Sequence, residues 1–85
     1  MPRYKVQVRV MPRPTLLDPQ GQALEHALAN LGFRDVSAVR MGKALTFELD
    51  RSDQGAAETD ARAMCDQLLA NPVTEDFTVT VGEDL

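Results

Sequence analysis

The sequence predicts a small α+β domain, a two-layer sandwich of order β-α-β-(β)-α-β with an antiparallel-rich sheet and both helices on one face. Three observations predict it. Arg3–Val10 alternates polar and apolar residues with a period of two. Two segments, after Leu17 and after Arg51, carry apolar residues at helical spacing between recognisable start and stop signals. The chain returns to a period of two after each of them. With 85 residues and no linker, repeat or low-complexity tract, one domain spanning 1–85 is expected.

In the first strand Tyr4, Val6, Val8 and Val10 share one face, and Lys5, Gln7 and Arg9 the other. Pro12 and Pro14 should end it, because neither can donate a ladder hydrogen bond. Asp18 then caps a helix with Pro19 in its first turn, where a missing N–H costs nothing. Ala23, Leu24, Ala27, Leu28 and Leu31 form its apolar stripe, and that stripe is the expected core face. Gly32 is placed for the left-handed residue that stops a helix, with Phe33 folding back on the last turn.

From Val36 to Asp50 the pattern reads as strand again, with Val39, Met41, Leu45, Phe47 and Leu49 on one parity. Gly42-Lys43 interrupts it, either as a bulge in one bent strand or as the tip of a hairpin, and the sequence leaves both open. Ser52 and Asp53 are cap residues for a second helix whose inner face holds Ala57, Ala61, Met64, Cys65, Leu68 and Leu69. Asn71-Pro72 closes it, since the residue before proline is pushed out of the helical region. Phe77, Val79 and Val81 alternate with Thr78 and Thr80 in a last strand. This order is ferredoxin-like in outline. It leaves one sheet face and the sheet edges for another subunit.

Composition narrows the function. A chain this short buries only about 60% of its unfolded surface, too little to wall off a deep cleft easily. The net charge of −4 argues against a phosphate-binding nucleic-acid surface, although Arg3, Lys5, Arg9 and Arg13 gather near the start. No apolar run approaches the ~18 residues of a membrane span, and the N-terminus is unlike a signal peptide, so the cytoplasm is expected. The single Cys65 allows no intramolecular disulfide or metal pair. It sits in the second helix's apolar stripe and reads as a small hydrophobe. His26, the one histidine, falls opposite the first helix's stripe and has no ligand partner in sequence. Glu48, Asp50, Asp53, Glu58 and Asp60 gather around one loop and read as a solvated turn. No phosphate loop, dinucleotide fingerprint or nucleophile elbow is present. The acylphosphatase reading of a chain this size fails as well: Val10 is followed by Met11-Pro12-Arg13-Pro14, which has none of that family's phosphate-cradling glycines. Arg40-Met41-Gly42-Lys43, a glycine between cations, suits an anion or a partner's carboxylates, and equally an ordinary turn with solvated ends.

Three segments together carry a resemblance: Leu17-Asp18-Pro19-Gln20-Gly21, Val39-Arg40-Met41-Gly42-Lys43, and Cys65 to Phe77, which contains L-L-A-N-P-V-T-E-D-F. In order, spacing and length the whole chain resembles the PurS family, the small subunit of phosphoribosylformylglycinamidine synthase in purine biosynthesis. The resemblance implies a subunit that is not catalytic alone. In that family a PurL synthetase carries the ATP-dependent chemistry on formylglycinamide ribonucleotide, and a PurQ glutaminase releases ammonia from glutamine. PurS forms homodimers or homotetramers and bridges the two, with a possible share in the ammonia path. ATP, magnesium and glutamine are implied for the complex, and no cofactor for this chain alone. Asp18, Pro19 and Gly21, then Arg40, Gly42 and Lys43, then Asn71, Pro72, Glu75 and Asp76 match the family motifs. Asp18, Pro19, Gly21, Gly32, Asn71 and Pro72 are expected to be structural, and Arg40, Gly42 and Lys43 to face a partner. Met11-Pro12-Arg13-Pro14 departs from the family's lysine-containing, proline-poor run. A free-standing oligomeric regulatory or ligand-binding module is the alternative reading, and a small hydrolase the third.

Overall fold

The computed structural model describes residues 2–83. Five elements follow in order: β1 (Arg3–Pro12), α1 (Pro19–Asn30), β2 (Lys43–Asp50), α2 (Gln54–Met64) and β3 (Glu75–Gly82). The strands form one antiparallel sheet of order β2-β1-β3. Its centre is the alternating strand at the N-terminus. Val6, Val8 and Val10 are fully buried, while Lys5, Gln7 and Arg9 face solvent. Val8 stands between Leu45 on β2 and Val79 on β3. The inner face of each neighbour therefore repeats the parity of the central strand.

The helix layer on this face is α2. Asp53 caps it by accepting the Ala56 N–H at 2.8 Å, as expected of one of the two cap residues. Ala57 and Ala61 are fully buried, and their small side chains let the helix lie close over β1 and β3. One π-turn, Cys65–Leu69, continues it, closed by the Ala70 N–H on the Cys65 carbonyl at 3.0 Å. The wider turn changes which side chains face inward. Cys65 and Ala70 are buried, whereas Leu68, expected on the inner stripe, is 81% exposed.

The α+β class and the antiparallel sheet are as the sequence predicts, but the layering differs in two respects. First, the expected strand from Val36 to Asp50 begins only at Lys43, and residues 36–42 are an irregular connection. The parenthesised extra strand is absent, and Gly42 is neither a bulge nor a hairpin tip but the residue that leads into β2. The physical reason lies on β1: its pairing with β2 stops at Val10↔Lys43, while Met11 and Pro12 continue only with β3. The proline thus ends one ladder and not the other, so β1 reaches two residues beyond Val10.

Second, α1 is not packed on the sheet. Its predicted core stripe is largely open, with Leu24 44% and Leu31 74% exposed and only Leu28 half-buried. Both ends of α1 nevertheless follow the local signals. Gly32 is left-handed at φ 103°, its N–H meets the Ala29 carbonyl at 3.0 Å, and the Phe33 N–H meets the Leu28 carbonyl at 2.9 Å. The protein is consequently long and thin, 51 × 28 × 14 Å. Its radius of gyration is 16.4 Å, against about 12 Å for a compact chain of this length.

The core is small, so each valine in it matters. Val8→Ala is expected to cost about 2 kcal/mol of unfolding free energy in urea titrations. Gln7→Thr, one residue away on the wet face, should stay within about 0.5 kcal/mol.

Candidate functional site

The first and second of the three sequence motifs, twenty-odd residues apart, meet at the start of α1. Asp18 is 8% exposed and is the only buried charged residue among those described. One carboxylate oxygen accepts the Gly21 N–H at 3.1 Å, the ordinary cap of its own helix. The other accepts the Met41 N–H at 2.8 Å, from the connection that leads into β2. The Met41 N–H, more than the Gly21 N–H, holds the Asp18 carboxyl below the usual carboxylate range, and the nearby Arg40 charge adds to this.

The backbones around it are in close contact. A Cβ on Gly21 would overlap the Val39 carbonyl oxygen, and one on Gly42 would overlap the Val10 carbonyl and the Met11 side chain. Both glycines are therefore required by approach, and neither has a positive φ. Ala38 does, at φ 57°, where the chain turns back toward α1. Farther along the helix the Glu25 carboxylate accepts the Val39 N–H at 3.3 Å. Arg40 donates from both terminal nitrogens of its guanidinium to the Leu16 and Pro14 carbonyls. A shallow cleft of about 190 Å³ lies between Gln22 and Glu25 on α1 and residues 38–40.

The structure thus brings Asp18, Gly21, Arg40 and Gly42 together and gives Arg40 partners within its own chain. Lys43 is exposed at the start of β2, and its side chain makes no hydrogen bond or ion pair to the described residues. Pro19 fills the first turn of α1. The third motif forms its own compact turn at the same end of β1, on the side of β3. Asn71 accepts the Val73 N–H on its side chain at 3.0 Å, and its own N–H is accepted by Glu75 at 2.7 Å. Arg13 clasps this turn through the Pro72 carbonyl at 2.6 Å and Asp76 at 3.4 Å. Neither period nor spacing gives Arg13 such a role. Its signal was the proline-rich run itself, which fixes the backbone from which Arg13 extends.

Cys65 is fully buried and its thiol is pushed up, first by burial and then by Asp66, which favours the unreactive neutral form. Among the described residues, no three His, Cys, Asp or Glu side chains gather as a metal site. Among the described residues, no helix is long and apolar enough to cross a membrane. What the surface offers instead is apolar: Leu17, Leu24, Leu31 and Phe33 stand exposed on and around α1.

The family model for phosphoribosylformylglycinamidine (FGAM) synthase, PurS, matches residues 5–83. The chain belongs to the PurS family. The PurS subunit of Bacillus subtilis phosphoribosylformylglycinamidine synthase is 40% identical over 80 residues, 94% of each chain. A solved structure of B. subtilis PurS superposes with a TM-score of 0.86 over 94% of this chain and 99% of that one. A chain in the structure of PurLQS from Thermotoga maritima, 29% identical, superposes with a TM-score of 0.88 over 96% of this chain and all of its own length.

Two predictions follow from the geometry. Gly21→Ala and Gly42→Ala should each destabilise the protein by about 1–3 kcal/mol, because backbone rather than a flexible side chain must give way. Gly55→Ala, which meets only the Asp53 side chain at 3.3 Å, is the control and should be nearly neutral. The second prediction concerns pH. A folded-state pKa held below the unfolded one contributes stability above about pH 4, and loses it as pH falls through the folded value. The stability gap between the wild type and Asp18→Asn should therefore be full at pH 7 and narrow below pH ~4 in urea titrations. Asp50, held down by Arg3 at 3.1 Å, shares this window, so the variant should retain some acid sensitivity.

Proposed function

We infer that this chain is the small, non-catalytic subunit of a phosphoribosylformylglycinamidine synthase complex in purine biosynthesis, where it bridges a PurL-like synthetase and a PurQ-like glutaminase. The observation that carries this reading is the superposition of nearly the whole chain on a complete chain of the T. maritima PurLQS structure. The shape of the protomer supports it independently. A helix with an open apolar stripe and a sheet with one helix over two of its three strands are parts that need other surfaces to cover them.

In this reading the first covering surface is a second copy of the chain, giving a homodimer or a homotetramer. The protomer presents both an uncovered helix and a half-covered strand, β2, with Leu45, Phe47 and Leu49 half-buried. ATP, magnesium and glutamine are bound in the partner chains, and any share in the ammonia path falls to the assembled interface. The donor sets here support that division: the one buried carboxylate among the described residues, Asp18, is already occupied by backbone N–H groups, and the one thiol lies in the core. Lys43, whose exposed ammonium has no partner among the described residues, is the partner-facing cation. The complex works in the cytoplasm.

Reconstitution tests the reading. A mixture of PurL-like and PurQ-like subunits should form the amidine product from glutamine only when this chain is added, and the chain alone should turn nothing over. Equal rates with and without it would refute the bridging role and leave a free-standing module. Lys43→Glu should weaken complex formation about tenfold without lowering the unfolding midpoint. Unchanged elution of the mixture in size-exclusion chromatography would remove Lys43 from the interface.

A further inference from the structure

A twelve-residue helix is marginal in water on its own, and α1 has no sheet beneath it to stabilise it. Its C-terminal stop is local, made by Gly32 and Phe33 on the helix's own carbonyls. The polar ties that join α1 and its lead-in to the rest of the chain therefore lie on its first two turns and the residues just before it. Asp18 spans from Gly21 to Met41, Glu25 reaches Val39, and Arg40 holds the Leu16 and Pro14 carbonyls. Met41 is two residues from the first β2 residue, Lys43, so these bonds connect the helix to the sheet almost directly.

We propose that Asp18 and Arg40 form a clamp that sets the attitude of α1 relative to the sheet, and that assembly requires α1 to be held in that attitude. This rests on the assembly reading above but assigns Arg40 differently from a partner contact. Both residues act through α1 and are positioning residues. Two features fit a clamp and would be superfluous in a simple helix cap. The second oxygen of Asp18 is committed to a segment 23 residues away, whereas the cap of α2, Asp53, accepts only from its own first turn. The guanidinium of Arg40, although exposed, is turned onto two carbonyls of the α1 lead-in. Gly21 and Gly42 lie at the two close approaches that bring the helix start and the β2 entry together.

Serine at position 18 separates the clamp from the cap. Asp18→Ser keeps one oxygen for the Gly21 N–H and removes the one that reaches Met41. The matched control is Asp53→Ser, which makes the same change at the start of α2. Amide hydrogen exchange is read on the full-length chain, and binding is read with PurL-like and PurQ-like subunits. In Asp18→Ser and in Arg40→Ala, exchange across α1 should accelerate at least about tenfold, while β1, β3 and α2 change by less than about twofold. Affinity for the partner subunits should fall at least about tenfold in both, and Asp53→Ser should leave α1 exchange and affinity unchanged.

Unchanged α1 exchange in both variants would overturn the clamp. Lost affinity with unchanged α1 exchange would overturn it too, and would make Arg40 a direct contact. Accelerated exchange with full affinity would show that assembly does not need the attitude of α1. If the wild-type chain itself fails to bind the partner subunits, the assembly reading falls and the requirement for assembly falls with it. The exchange arm still decides whether the clamp exists.

Discussion

The width of the sheet is the constraint on which the rest of the protomer depends. Strands lie about 4.8 Å apart and a helix with its side chains is about 10 Å across, so one helix covers roughly two strands. The sheet has three strands, and α2 lies over β1 and β3. Its alanines at 57 and 61 bring it close enough to bury Val6, Val8 and Val10 completely. The inner residues of both outer strands are half-covered, and those of β2 lie beyond the reach of α2. A second helix would complete the layer, and the chain has one, yet α1 is not placed there. The protomer is therefore a finished core joined to an unfinished edge.

The placement of α1 follows from where the β1–β2 ladder ends. Because Lys43 opposite Val10 is the first paired residue of β2, the chain arrives at the sheet from beyond the end of that ladder. The eleven residues before it, from Gly32 to Gly42, run back along α1 instead of across the sheet. Ala38 makes the turn in a left-handed conformation that costs a non-glycine residue about 1 kcal/mol. Buried Asp18 and the two glycines then hold the return in register. Conformational freedom is removed here by a few polar bonds, whereas α2 is held by apolar area. Polar bonds of this kind contribute little net stability but are directional, so they set an angle better than they hold a core together.

This division explains what could be read from the residues alone. Strand β1, both ends of α1, the start of α2 and strand β3 are legible because each is a local matter of period or capping. Val6, Val8 and Val10 alternate, Asp18 and Asp53 cap, and Gly32 stops. The stripe Ala23, Leu24, Ala27, Leu28 and Leu31 is equally legible as apolar, but periodicity cannot say whether the matching surface belongs to the same chain. Val39 and Met41 share the parity of Leu45 and Phe47, and nothing in that parity reveals that β1 has no free ladder to offer them. Leu68 leaves the inner stripe for a different reason: a π-turn at Cys65–Leu69 adds a residue to the turn, and sequence spacing assumes the ordinary one. At the site, Asp18, Gly21, Arg40 and Gly42 all stand out in the sequence, but as separate motifs. The sequence could not show that the two motifs are halves of one contact, because that depends on how the intervening helix and connection fold back.

A chain whose function is assembly has reason to keep its core and its exposed parts separate. Were α1 packed on β2, the protomer would be more compact and its apolar stripe would be satisfied, leaving less surface for a partner to bury. Holding α1 off the sheet by directional polar bonds keeps that stripe available while limiting the directions it can take. Fewer orientations must then be given up on association, which reduces the entropic cost of binding. The acidic chain and its polar outer sheet face, where Lys5, Gln7 and Arg9 stand among Thr46, Glu48 and Thr80, suit solubility before assembly. In a member of the PurS family the preorganised quantity is thus the attitude of a helix, in the way that a catalytic subunit preorganises reactive groups.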